Sequence, residues 1–203
     1  MKVIVAKTEE EKRLSYWLRF ETMCRELGWL NAEDYSAGEE KDEYDNGQSM
    51  IFLALDDSGK AIGTTRLILR GELPFPVKKY FSLYEEELIE ALHGKMENCV
   101  EASRFVVPRN SLYRRHEITQ LLYTTMIKKC ALMGATHMFM SADHRFFRLL
   151  KILGLQLHEI GEPKFYMGSK TTPGILSIAH YYDKQTIESL VPEEAPSEHA
   201  IMV

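Results

Sequence analysis

The stretch that most restricts what this chain can fold into is Asn98-Cys99-Val100-Glu101-Ala102-Ser103-Arg104-Phe105-Val106-Val107-Pro108. Its apolar run reads as a strand, yet a carboxylate, a hydroxyl and a guanidinium interrupt it. In a regular strand successive side chains alternate faces. Glu101, Ser103 and Phe105 would then share one face, and Ala102, Arg104 and Val106 the other. A central strand rarely carries a Glu and an Arg unless they are paired or take part in chemistry. Two readings stand: an ion pair at a strand edge, or a working carboxylate.

The flanking sequence supplies the setting. Residues 2–6 alternate as a short strand, and Thr8 with Glu11 forms a capping box for a helix to about Leu27, stopped by Gly28. Leu14, Trp17, Leu18, Phe20, Met23 and Leu27 are its expected apolar stripe. Residues 29–48 are acidic and aromatic without a period, a long loop of the kind that is usually functional. A hairpin follows, with strands at 49–55 and 61–69 joined by Asp56-Asp57-Ser58-Gly59. Leu73-Pro74-Phe75-Pro76 breaks the pattern, and Ser82 with Glu85 opens a short helix to about His93. Beyond the central strand come a helix at 117–133, a strand at 136–140 and a basic helix from Asp143 to just before Gly154. Short strands at 155–157, 164–167 and 175–180 and a last helix at 182–190 complete the expectation, with a loose tail over 191–203. This order fits one domain over 1–190, an α/β sandwich with a mixed sheet.

At 203 residues the chain is long enough to bury a substantial core. No run reaches the length of a membrane span, and the N-terminus shows no secretory pattern. Three widely spaced cysteines suit buried thiols in a reducing compartment, so the cytoplasm is expected. The net charge of −5 hides an asymmetry. Acidic residues dominate through Lys60, whereas 102–151 carry Arg104, Arg109, Arg114, Arg115, Lys128, Lys129, Arg145, Arg148 and Lys151 against only Glu117 and Asp143. Such a patch fits a localised anionic partner, or else scattered solvated side chains; nothing resembles a surface that tracks nucleic acid.

Several chemistries find no support. There is no G-x-S-x-G, no P-loop and no G-x-G-x-x-G. The histidines lack metal-ligand spacing, so no metal is expected. What remains is a set of isolated charges beside aromatic rings: Arg19, Asp42, Asp45, Arg66, Glu101 and Arg104. Three arginines and three carboxylates can form a buried network, which marks either an ordering device or a site.

These residues also carry a resemblance. Arg19 stands ten residues before Trp29, Glu40-Lys41-Asp42-Glu43-Tyr44-Asp45 has the form E-x-D-x-Y-D, Thr65-Arg66-Leu67 follows, and Glu101-Ala102-Ser103-Arg104-Phe105 closes the series. In order and spacing the set resembles the acyl-homoserine lactone synthases, the autoinducer synthases of quorum sensing. The resemblance implies a GNAT-like acyltransferase with a mostly antiparallel sheet, split as a V between the strands at 100–107 and 136–140. It implies transfer of an acyl chain from acyl carrier protein or acyl-CoA to the amine of S-adenosylmethionine, then lactonisation and release of methylthioadenosine. Both are substrates, and no tightly bound cofactor is implied.

Chemistry and resemblance together assign expected roles. An amine nucleophile must lose a proton, and Glu101 is the carboxylate placed to take it, through a water. Backbone N–H groups at a strand bulge would serve the tetrahedral intermediate. Asp42 and Asp45 suit a cationic substrate that Trp29 covers, with Arg19, Arg66 and Arg104 bracing them. Ser103 and Ser141 fall where the family recognises the acyl chain near its carbonyl, and Phe105 completes the motif. Met126, Met138, Met140, Phe146, Phe147 and Leu150 are acyl-pocket candidates that would serve equally as ordinary core. Arg109, Arg114 and Arg115 precede a helix and suit a phosphate, while Lys128, Lys129, Arg145, Arg148 and Lys151 suit an acidic carrier protein. Met23 replaces the family's usual Phe, and residues 109–116 lack the glycines of a simple acetyl-CoA enzyme, which favours a carrier-protein donor. The rivals are an N-acyl amino acid synthase on the same scaffold, and a non-catalytic module that binds acyl groups or carrier protein.

Overall fold

The computed structural model describes residues 1–85, 98–109, 111 and 113–181. The sequence readings at 86–93 and 182–203, including the last helix and the tail, lie outside the described residues.

Strand β1 (Lys2–Val5) leads into helix α1 (Glu9–Arg19), whose capping box forms as expected between Thr8 and Glu11. The helix then widens without a break into a seven-residue π-helix, Phe20–Glu26, in which Leu27 N–H reaches back to the Thr22 carbonyl. Gly28, at φ +63°, ends it in the left-handed region that glycine tolerates. The expected apolar stripe needs correction. Leu14 and Trp17 are 42 % and 46 % exposed, and the buried face is Tyr16, Leu18, Phe20 and Met23. Tyr16 takes the place in the core because its ring faces β2 and β3, where Leu53 and Ala61 belong to the same cluster.

Strands β2 (Ser49–Leu55) and β3 (Ala61–Ile68) form the expected hairpin, followed by the short helix α2 (Pro76–Tyr80), with Pro at its first turn. Strand β4 (Cys99–Val106) is the Glu101 strand. Helix α3 (Arg115–Leu132), strand β5 (His137–Asp143) and helix α4 (His144–Ile152) come next, with Asp143 capping α4. The chain then runs through β6 (His158–Glu159), β7 (Lys164–Tyr166) and β8 (Ser169–Ser177). A strand at 155–157 does not form, because Leu155 and Leu157 point into the core from an irregular segment. The last described strand starts earlier than expected and carries Pro173 within it.

The eight strands form one mixed sheet in the order β1-β2-β3-β4-β5-β8-β6, with β7 paired to β8. Every neighbouring pair is antiparallel except β4 and β5, which are parallel and joined through α3. Helices α3 and α4 cover one face through Ile118, Leu122, Met126, Phe147 and Leu150. Helix α1 and the π-helix cover the other through Tyr16, Leu18 and Met23. The expected α/β/α sandwich is therefore the fold, and no described helix is long and apolar enough to cross a membrane.

Two irregularities in β4 position everything that follows. Its parallel pairing runs only from Cys99↔His137 to Ala102↔Met140, after which the two strands diverge and the sheet opens as a V. On its other edge Thr64 faces Val106 while Arg66 faces Ser103, so Arg104 and Phe105 together stand opposite Thr65. Arg104 absorbs this bulge at φ +53°. One extra residue reverses the alternation beyond it. Phe105 therefore lies on the α3–α4 face, its ring 5.0 Å from that of Phe146, and Val106 joins the α1 cluster. Both are opposite to the faces a regular strand would give them.

Candidate active site

On the α1 side of the sheet the charges assemble into one network. Arg19 holds Glu40 at 2.5 Å and Asp45 through two bonds of 3.0 and 2.9 Å. Arg66 holds Asp42 at 2.5 and 2.8 Å, Asp45 at 2.9 Å and the Ser103 hydroxyl at 3.0 Å. Arg104, turned to this side by the bulge, donates to Glu40 at 3.1 Å and to Asp42 at 2.8 Å. Three cations meet three carboxylates, so the network is neutral within itself. Its third carboxylate is Glu40, not Glu101. Glu40 and Asp42 are two residues apart, the spacing that puts side chains on one side of an extended segment, and Arg104 bridges both. The E-x-D spacing held that signal.

Burial alone would raise these carboxyl groups, and the arginines more than offset it. Glu40 is held below its ordinary value by Arg104 and Arg19, and Asp42 well below by Arg66 and Arg104. The loop is further tied down by the Asp42–Asp45 capping box and by Tyr44, whose hydroxyl donates to the Pro74 carbonyl at 2.7 Å.

Glu101 lives differently. It is 1 % exposed, and both its oxygens accept the Val77 N–H, at 3.1 and 3.0 Å. Burial pushes it up to about 8, against the opposing pull of that N–H and of Arg66 and Arg104. A carboxyl that titrates near neutrality beside an open cleft is matched to proton transfer.

The cleft is a cavity of about 1040 Å³ that passes through the V. Glu101, Ser103 and Arg104 stand at its waist. On the network side it is lined by Thr22, Met23, Glu26, Trp29, Asp42, Tyr44, Tyr80, Tyr166 and Met167. The π-helix contributes Thr22, Met23 and Glu26 to this wall, with Leu27 at its end. Gly168 leaves room for Trp29, since a side chain there would collide with the Trp29 backbone. Tyr166 stacks with Tyr80 and Phe81, centroids 5.2 and 5.3 Å away, and burial lifts its phenol to about 12, keeping it protonated. Through the V the walls become apolar: Phe105, Met126, Met138, Met140, Phe146, Leu149, Leu150 and Leu155. Arg109, Arg115, His116 and Arg145 also line it.

Several expected site residues lie elsewhere. Arg19, Arg66 and Asp45 do not reach the cavity; they stand behind it, and Asp45 is spent on Arg19 and Arg66. Asp42 shows the cavity one edge, its side chain 17 % exposed and already paired. Phe147 is fully buried against Gly174, away from the lining. Ser141 lines the cavity, but strand alternation sets it with Phe139 rather than with Met138 and Met140, and its hydroxyl is buried without a partner. Arg114, Lys128, Lys129, Arg148 and Lys151 are outside the lining. Lys128 follows Arg115 by about 20 Å of helix, so the basic residues do not form one patch. The sequence marks Glu40 only through its E-x-D spacing, and no local pattern marks Val77, Tyr166 or Met167.

Comparison with known proteins decides the family. A model of the autoinducer synthases matches residues 5–183. The chain belongs to the autoinducer synthase family. It is 36 % identical over 132 residues to an acyl-homoserine-lactone synthase of Agrobacterium fabrum, a match covering 63 % of this chain and 61 % of that protein's length. It is 28 % identical to the acyl-homoserine-lactone synthase of Aliivibrio fischeri, over 86 % of this chain and 89 % of that one. Among solved structures, the CoA-dependent acyl-homoserine lactone synthase BjaI with SAM and isopentyl-CoA shares the fold at TM-score 0.68 and 19 % identity, covering 93 % of this chain and 85 % of that one. An open, mixed α/β sheet is thus shared with solved members of the family, and the family is one of enzymes.

Proposed function

We propose that this protein is an acyl-homoserine lactone synthase, acylating the amine of S-adenosylmethionine from a thioester donor and releasing methylthioadenosine. The observation that carries the reading is Glu101 at the waist of one cavity with two chemically different ends, its carboxyl pushed up to about 8. The aromatic end, with Trp29, Tyr80 and Tyr166 beside a neutral charge network, suits a cationic sulfonium amino acid. The apolar end suits an acyl chain.

In this mechanism the ionised Glu101 takes a proton from the substrate ammonium through a water. The free amine attacks the thioester carbonyl, and β4, unpaired towards β5 beyond Ala102, offers backbone N–H groups to the oxyanion. The thiol leaves with a proton and the amide remains. The substrate's own carboxylate then attacks its γ-carbon, closing the lactone and expelling methylthioadenosine. Arg104 and Ser103 act by position: Arg104 ties the bulge to Glu40 and Asp42, and Ser103 is held by Arg66. Arg109, Arg115 and Arg145 meet the donor's phosphate, and Arg148 and Lys151 on α4 extend that surface towards an acidic carrier protein. Such substrates set the reaction in the cytoplasm.

The test is methylthioadenosine release from S-adenosylmethionine with acyl carrier protein or CoA thioesters. Release with one donor class supports the reading and names the donor. Acylation of a free amino acid without methylthioadenosine would transfer the protein to the N-acyl amino acid synthases. Donor binding with no amine ever acylated would leave a binding module.

A further inference from the structure

Helix α3 carries three threonines, and they spend their hydroxyls differently. Thr124 and Thr125 donate to carbonyls one turn back, Gln120 at 2.7 Å and Leu121 at 2.8 Å. This is the usual fate of a helical threonine. Thr119 lines the cavity, is 4 % exposed, and has no hydrogen-bond partner among the described residues. One turn further along the same face, Tyr123 lines the cavity at 8 % exposure, and its phenol also has no such partner. Tyr181, the phenol that Tyr123 influences electrostatically, accepts the Gln156 N–H at 2.5 Å and makes no hydrogen bond to Tyr123. The same cavity is lined by the apolar Met126, Met140, Phe146 and Leu150, and by the polar Arg115, Ser141 and Arg145.

Two hydroxyls without protein partners, in a chamber whose walls are largely apolar, need something in the chamber to bond to. Water serves when the chamber is empty. A saturated chain would expel that water and strand both hydroxyls, whereas a chain bearing oxygen would replace it. We infer that Thr119 and Tyr123 select an acyl group carrying a hydroxyl or keto oxygen along its chain, in preference to a plain hydrocarbon. This rests on the acyl-transfer reading above, and concerns which donor the same site takes. A site built to hydrogen-bond a substrate oxygen discriminates strongly against the analogue that lacks it. For two neutral hydroxyls a preference of about 10- to 100-fold in kcat/KM is expected.

The experiment compares acyl thioesters of one chain length on whichever carrier supports turnover: saturated, 3-oxo, 3-hydroxy and distally hydroxylated. Methylthioadenosine is read out for the wild type, Thr119→Val and Tyr123→Phe, two near-isosteric changes checked by thermal melting. The expected result is an oxygenated donor ahead of the saturated one by at least tenfold, with that ratio falling towards unity in at least one variant. A saturated donor equal to or better than every oxygenated one in the wild type would overturn the inference while leaving the synthase reading intact. So would a ratio unchanged in both variants. No methylthioadenosine from any donor would instead remove the synthase reading, and this inference with it.

Discussion

The two sides of the β4–β5 split are built on opposite principles. On the α1 side six charged side chains satisfy one another and hold a long loop rigid. On the α3–α4 side the walls are mostly methionines, phenylalanines and leucines, with a few hydroxyls and the separate charges of Arg109, Arg115, Asp143 and Arg145 in place of a closed network. Charge neutrality on the first side is what lets Glu101 titrate alone: its arginine neighbours are already committed to Glu40, Asp42 and Asp45, and burial governs its proton. The network thus frames the end proposed for the acceptor, while the end proposed for the donor relies on packing together with the hydroxyls of Thr119 and Tyr123.

The deepest break comes from Glu101→Gln, which removes the proposed base and keeps the shape. Steady-state release of methylthioadenosine is expected to fall about 10²- to 10⁴-fold, with the fold intact by circular dichroism. In the wild type the same group predicts kcat/KM rising with pH through about 8, because the base works only when ionised.

Breaking the frame instead should show in stability. Arg19→Met leaves Glu40 with one arginine fewer and Asp45 with Arg66 alone, and denaturant unfolding should report a loss of about 3–5 kcal/mol, the penalty of an orphaned buried charge. No packing change on the acyl side should match it. Glu101 gives a subtler stability signature of definite sign. Its folded value, about 8, lies above its ordinary 4.5, so the folded state favours the protonated form. Its stabilising contribution is full below about 4.5 and is lost as pH rises through about 8. Melting curves should therefore show Glu101→Gln gaining on the wild type across that window; a pH-independent difference would mean that Glu101 is not buried as a neutral acid.

On the acyl side, Met140→Phe narrows the chamber. It should shift preference towards shorter chains by about 10-fold, in line with the one to three kcal/mol that a methylene-sized misfit carries, and leave the pH profile unchanged. The smallest contrast lies along α3. Arg115→Glu should raise the donor KM a few-fold with added salt dependence, while Lys129→Glu, more than three turns away, should not.

Much of the frame was legible because local rules wrote it. The Thr8–Glu11 capping box, the Asp56–Gly59 hairpin and the Gly28 stop are short-range devices, and each formed where the residues indicated. Motif spacing led to the acidic loop and to Glu101. It also led to the arginines that brace Asp42 and Asp45, but it passed over Glu40, which Arg19 and Arg104 share. The helical stripe misled at Leu14 and Trp17 because periodicity allows two neighbouring stripes and only the sheet beneath decides which is covered.

By itself the sequence determined the order of elements, the family and the carboxylate on the central strand, since these rest on residue identity and near-neighbour spacing. Only the tertiary structure decided the bulge. With one extra residue at Arg104, the strand sends its arginine to the acidic loop and its Phe105 to the apolar chamber, reversing the faces that alternation assigns. No local pattern announces that reversal, because it comes from how β4 registers against β3 and where it parts from β5. Those are pairings between segments that lie far apart along the chain.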